Sequence, residues 1–230
     1  MKKLALLGLI PLSFAVCAQT LPPPQNVLQL SANGSIEAQQ DLLSVSLTTT
    51  RESTDAAAVQ SQLQSALDAA LTEVRKSAQP GQMDVRTGTF SVYPRYSGPN
   101  KIVAWRGTAE LVLEGRDFAR ITQAASRATT MTIGSIGFGL SREQRAKVEV
   151  DAQHMAIEHF KAKAADLARD FGFSGYTLRE VNVTSNDFGQ MPRYRMMAAD
   201  SVAAAAPAPV PVEAGKATVT VTVSGSVQLR

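Results

Sequence analysis

The chain has 230 residues, 44 % of them hydrophobic and 19 % charged, with a formal net charge of +3. Its single cysteine, Cys17, falls in a leader, so the mature chain is expected to hold no disulfide, no thiolate nucleophile and no Cys-ligated metal. Lys2 and Lys3 belong to the same leader, and removing them takes the net charge from +3 to +1, which excludes a nucleic-acid reading based on charge.

The leader is MKKLALLGLIPLSFAVCAQT. Lys2 and Lys3 form a positive n-region, Leu4 to Val16 an apolar h-region, and Val16 and Ala18 the small residues before a cleavage site, so export with cleavage after Ala18 is expected. The apolar run is too short for an ordinary membrane span. Val16 stands where a lipoprotein signal wants Gly or Ala, which argues against lipid attachment at Cys17. The expected compartment is a bacterial periplasm or exterior. The expected organisation is a leader over 1–18, a disordered Pro-rich spacer over 19–26 and one domain over 27–230.

Two strands follow the spacer, VLQLSA and LLSVSLTTT, flanking Asn33-Gly34; in the second, Leu43, Val45 and Leu47 alternate with polar residues at period two. Next comes an alanine-rich helix in which Ala56, Val59, Leu63, Ala66, Ala70 and Val74 make one stripe, ended by Pro80-Gly81. MDVRTGTFSVYPRY and KIVAWRGTAELVLE read as a hairpin, with Val103, Trp105, Ala109, Leu111 and Leu113 on one face of its second arm. Asp117 caps a short helix through about Ala128, with Phe118, Ile121 and Ala125 inward, and MTIGSIGFGL is a glycine-loosened strand.

The longest element runs from Ser141 to Gly172, with a capping-box pattern at Ser141 and Gln144 and no internal proline or glycine. As a helix it is a rod of roughly 45 Å. Ala146, Val150, Gln153, Ile157, Phe160, Ala164, Leu167 and Phe171 form its main stripe, expected to lie on a sheet. A second stripe, Val148, Ala152, Met155, His159 and Ala162, sits roughly 140° round the cylinder. These five are the candidate interface, either with a neighbouring part of the chain or with a second copy.

YTLREVNVTS is expected to pair antiparallel with the last strand, KATVTVTVSGSVQL, which makes the Ala/Pro-rich segment at about 189–215 a mobile excursion. The element order from Leu42 to Leu113 is loosely echoed from Thr132 to Leu229. Strands and helices mix without strict βαβ alternation. The fold class expected is α+β, with antiparallel sheets packed against two long helices and one short helix.

LQLSANGSIEAQQDLLSVSLTTTRESTDAA, VRTGTFSVYPRY and AGKATVTVTVSGSVQL resemble the SIMPL-domain proteins, exported bacterial proteins that include prominent periplasmic antigens. The resemblance covers Val27 to Gln228 and rests on Gly34, Asp41, Thr87, Pro94, Tyr96 and Gly215; Gln40 departs from it, standing where the family has a proline. It implies an α+β envelope protein, assembly into larger oligomers in some members, and a link to oxidative or envelope stress. It implies no catalytic residue.

Candidate chemistry is sparse. His154 and His159 are five apart on a helix, whereas a chelating pair needs three or four, so no metal site is assigned to them. No serine sits in a G-x-S-x-G context, and GSIGFG fits neither nucleotide-loop pattern, so no catalytic residue and no cofactor is assigned. Met191, Arg193, Tyr194, Arg195, Met196 and Met197 form an exposed cluster that either anchors a loop or offers soft thioether ligands to Cu(I). Tyr93, Arg95, Tyr96, Trp105 and Arg106 form an aromatic and cationic patch near the hairpin turn. The function expected is that of a non-enzymatic periplasmic scaffold or binding protein linked to stress. A homo-oligomer or an envelope protein is the expected partner. The alternative is a soft-metal or small-ligand binder using Met191 to Met197.

Overall fold

The structure is a computed structural model that describes residues 25–99, 101–186 and 212–230. Its elements in chain order are β1 (Val27–Gln39), β2 (Leu42–Ser53), α1 (Ala56–Arg75), β3 (Met83–Tyr96), β4 (Ile102–Gly115), α2 (Phe118–Arg127), β5 (Thr132–Gly139), α3 (Arg142–Asp170), β6 (Tyr176–Asn186) and β7 (Lys216–Leu229). They form two antiparallel sheets, β1-β7-β6 covered on one face by α3 and β3-β4-β2-β5 covered on one face by α1 and α2. The expected leader and cleavage site lie outside the described residues, as do most of the expected Ala/Pro-rich excursion and all of Met191 to Met197. Among the described residues, no helix is long and apolar enough to cross a membrane.

The four-stranded sheet is covered by α1 and α2. Leu43, Val45 and Leu47 of β2 and Leu111 and Leu113 of β4 are fully buried against the α1 stripe and against Ile121 and Ala125 of α2. Asp55 caps α1 by accepting from the N–H groups of Ala57 and Ala58, and Asp117 caps α2 by accepting from Arg120 N–H.

The three-stranded sheet is covered by α3 alone, and here the sequence expectation needs correcting. The buried residues of α3 are Val148, Ala152, Ala156, Phe160, Ala164 and Ala168, spaced by four throughout. Such a row is inclined to the helix axis, so burial that starts on one side at Val148 ends on another at Ala168. The straight stripe is therefore not the core face: it shares Phe160 and Ala164 with the buried row, whereas Val150 is 52 % and Phe171 62 % exposed. Four of the six buried residues are alanines because the helix lies close to its sheet. A Cβ at Gly34 would stand 2.3 Å from the carbonyl oxygen of Ala152 and 2.6 Å from the nitrogen of Ala156, so only glycine permits that approach.

Asn33-Gly34 is accordingly not a break between strands. β1 runs through both residues and pairs with β7 along its whole length, from Val27 opposite Gln228 to Gln39 opposite Lys216. The echo between the halves holds for element order and not for pairing. β2 lies beside the β3–β4 hairpin that follows α1, whereas β5 joins β2, and β1 takes the place beside the β6–β7 hairpin that follows α3.

The chain passes between the two sheets at one junction. Asp41 Oδ1 accepts from the N–H of Ser141 at 2.7 Å and its Oδ2 from the Ser141 hydroxyl at 2.6 Å. Ser141 Oγ in turn accepts from Gln144 N–H, capping α3. Gln40 donates its backbone N–H to Gly215 O at 3.0 Å and its side-chain amide to Phe138 O at 3.3 Å. A proline at position 40 would lack the first of these bonds. Ala38, Leu140 and Val148 form a small apolar cluster beside the junction.

Candidate functional site

The five residues of the second α3 stripe do not share one environment. Val148 and Ala152 are 4 % and 0 % exposed and belong to the chain's own core, so they are not available to a second copy. They pack because the buried row crosses from one stripe to the other along α3. Met155 is 36 % exposed, and His159 and Ala162 are exposed. His154 is exposed too, and nothing brings the two histidines together.

His159 has a specific place. Its Nδ1 lies 2.9 Å from the carbonyl oxygen of Asn33, which can only accept, so Nδ1 carries the proton. One turn on, Lys163 Nζ donates to Ser31 O at 3.0 Å. β1 is an edge strand, and these two carbonyls point to its open side, where a further strand would otherwise add. Two side chains spaced i, i+4 thus reach over the sheet and occupy successive acceptors of one edge.

The opposite edge has no such cover among the described residues. β6 pairs with β7 on one side, and no described strand lies on the other. The ladder has one irregularity between Leu178 and Glu180 and runs regularly from Glu180 to Asn186. Alternation in an antiparallel ladder leaves the N–H and C=O groups of Val181, Val183 and Ser185 at the outer side. α3 covers β1 and β7 and barely reaches β6, so Leu178, Val181 and Val183 are 56 %, 44 % and 42 % exposed. Among the described residues, outward backbone groups without a ladder partner and exposed apolar side chains coincide on one strand. Alternation of Val181 and Val183 is legible in the sequence; that β6 ends the sheet is not.

The charged groups held by geometry have structural roles. At Asp41, burial acts to raise the pKa, but the hydroxyl and backbone bonds from Ser141 and the Arg116 guanidinium outweigh it, and the carboxyl ends below its usual range. Glu110, on the face of the four-stranded sheet turned away from the helices, accepts from Ser46 Oγ at 2.5 Å and from Thr89 N–H at 3.1 Å. Those bonds hold its carboxyl below the usual range against a smaller opposing effect of burial. The Thr89 bond fills the β3 bulge between Thr87 and Phe90, supplying an acceptor that the ladder omits there. An open depression of about 510 Å³ on the outer face of the three-stranded sheet is lined by Gln29, Ser31, Glu180, Asn182, Ser224 and Ser226 among others.

Among the described residues, no group of three or more His, Cys, Asp or Glu side chains is placed to hold a metal ion. Met191, Arg193, Tyr194, Arg195, Met196 and Met197 lie outside the described residues.

Compared with known families, residues 28–227 match the model described as SIMPL, a protein of unknown function (DUF541). No curated protein matches the chain.

Proposed function

From the premise that the chain belongs to the SIMPL family, we propose that it is a non-enzymatic envelope protein that works by assembling with copies of itself, with the β6 edge as the contact. The observation carrying this reading is the asymmetry of the three-stranded sheet: His159 and Lys163 occupy the β1 edge, whereas β6 presents Val181 and Val183 beside free backbone groups. Two β6 strands meeting antiparallel about Asn182 set each Val181 opposite Val183 of the second copy. Such a contact is self-complementary and closes as a two-fold dimer, which further surfaces can extend. The leader-like N-terminus supports a periplasmic location, and the resemblance to stress-linked envelope proteins supports a protective role.

Light scattering and crosslinking of the native protein test this. The expected result is a multimer whose mass falls on replacing Val181→Lys and Val183→Lys together, with unchanged circular dichroism. A monomer at high concentration, or a multimer indifferent to both replacements, sinks the reading.

A further inference from the structure

The far end of the β3–β4 hairpin is a two-stranded ribbon. β2 stops pairing with β4 at Ser53 opposite Trp105, whereas β3 and β4 continue through Arg95 opposite Ala104 to Tyr96 opposite Ile102. Beyond Trp105 no third described strand lies beside β4. The ribbon nevertheless keeps apolar side chains in water: Tyr96 is 57 %, Ile102 45 % and Val103 42 % exposed, and Tyr93, nearby, is 46 % exposed. An isolated ribbon of this kind is marginal in water, and exposed apolar residues at its tip add nothing to its stability there.

Charge at the same end is one-sided. From Val85 to Ala109 the chain has no Asp or Glu and four basic residues, Arg86, Arg95, Lys101 and Arg106. Arg86 lies toward Glu110, away from the tip. Arg95 is held by Glu52 at 2.8 Å. Arg95, Lys101 and Arg106 against Glu52 leave the tip at +2 by count.

We propose that this ribbon tip docks on an anionic phospholipid bilayer, with Tyr96, Ile102 and Val103 entering the interface and Lys101 and Arg106 meeting the headgroup phosphates. Aromatic residues whose ring is apolar and whose tip is polar settle at such interfaces, and each nearby Lys or Arg adds attraction to an anionic surface. A bilayer accepts exposed apolar side chains flanked by cations without a shaped counterpart. The proposal is independent of assembly through β6, which lies in the other sheet.

The test uses the full chain carrying Ile102→Trp, with the unmodified chain and its native Trp105 as reference. Vesicles of phosphatidylglycerol and of phosphatidylcholine carry brominated acyl chains as quenchers. The apolar N-terminal stretch is common to all variants, so the introduced indole reports the tip itself. The expected result is a blue shift and quenching of that indole in phosphatidylglycerol at low salt, at least about tenfold weaker binding after Lys101→Glu with Arg106→Glu, and no such signal in phosphatidylcholine. Urea midpoints within error of the parent show that the exposed-site variants are folded. Absent quenching, equal quenching in both lipids, or indifference to charge reversal overturns the proposal. So does a tip-dependent change in native mass without lipid, which assigns the tip to contact between copies.

Discussion

Asp41 and Ser141, one hundred residues apart, form a two-point contact in which one carboxylate accepts both the backbone N–H and the hydroxyl of the residue that caps α3. Asp41 stands at the passage from β1 to β2, and Ser141 at the passage from β5 to α3. The pair therefore sets where the long helix begins relative to both sheets. Ser141 is 4 % exposed, so neither donor has water as a ready substitute.

Asp41→Ala is expected to cost about 2–3 kcal/mol at neutral pH, because two donors to a charged acceptor are left unmatched. The folded pKa of Asp41 is depressed, so its contribution is full above the unfolded carboxylate value of about 3.9 and fades as pH falls through the lower folded value. Urea unfolding of parent and variant at a series of pH values should show a constant gap from neutral to about pH 5 and a narrowing gap below about pH 4. A gap independent of pH down to strong acid contradicts the role given to the charge.

Two glycines provide a matched comparison. Gly34→Ala puts a methyl group against the backbone of α3 and is expected to cost about 1–3 kcal/mol or more, as overpacking does. Gly139→Ala meets nothing within 4 Å and is expected to stay within about 0.5 kcal/mol of the parent. Thermal midpoints of the two variants decide the point, and equal effects contradict the close approach of α3 to β1.

The inclined buried row of α3 makes an inverted expectation about size. Ala156→Leu adds apolar volume, yet it should destabilise by about 1–3 kcal/mol because Ala156 is fully buried. Val150→Ala removes apolar volume and should change stability by less than about 0.5 kcal/mol, since Val150 is 52 % exposed. Chemical denaturation midpoints check both.

Replacing His159→Ala and Lys163→Ala together uncovers the carbonyls of Asn33 and Ser31. The expected cost in stability is about 1 kcal/mol. The larger expected effect is a concentration-dependent growth in mass beyond that of the parent assembly, read by light scattering, because a guarded edge strand has been opened. If association is unchanged, the two side chains do not guard the edge.

Much of the fold is legible in local pattern. The alternation in β7, the α1 stripe from Val59 to Val74 and the caps at Asp117 and Ser141 can all be read from spacing. The β6–β7 pairing is legible because both strands alternate in pattern and follow α3 in succession among the described elements. The core face of α3 is not legible in this way, because a count of large apolar residues favours Val150, Leu167 and Phe171, whereas close contact with the sheet selects alanines. The resemblance motifs gain physical roles in the same way: Gly34 admits α3, Asp41 holds its cap, and Gly215 accepts from Gln40.

The sequence by itself determined the type and order of the described elements and the polar and apolar face of most of their strands, because periods of two and 3.6 follow from backbone geometry within each segment. Only the tertiary structure decided that β1 pairs with β7 nearly two hundred residues away, that β5 joins β2, and which strands are edges. Those outcomes depend on which surfaces meet, and the two halves contain near-equivalent strands that local pattern cannot tell apart. That two outward carbonyls of the β1 edge are occupied rests on two side chains of α3 reaching over Asn33 and Ser31, a relationship that exists only once the helix has been laid on the sheet.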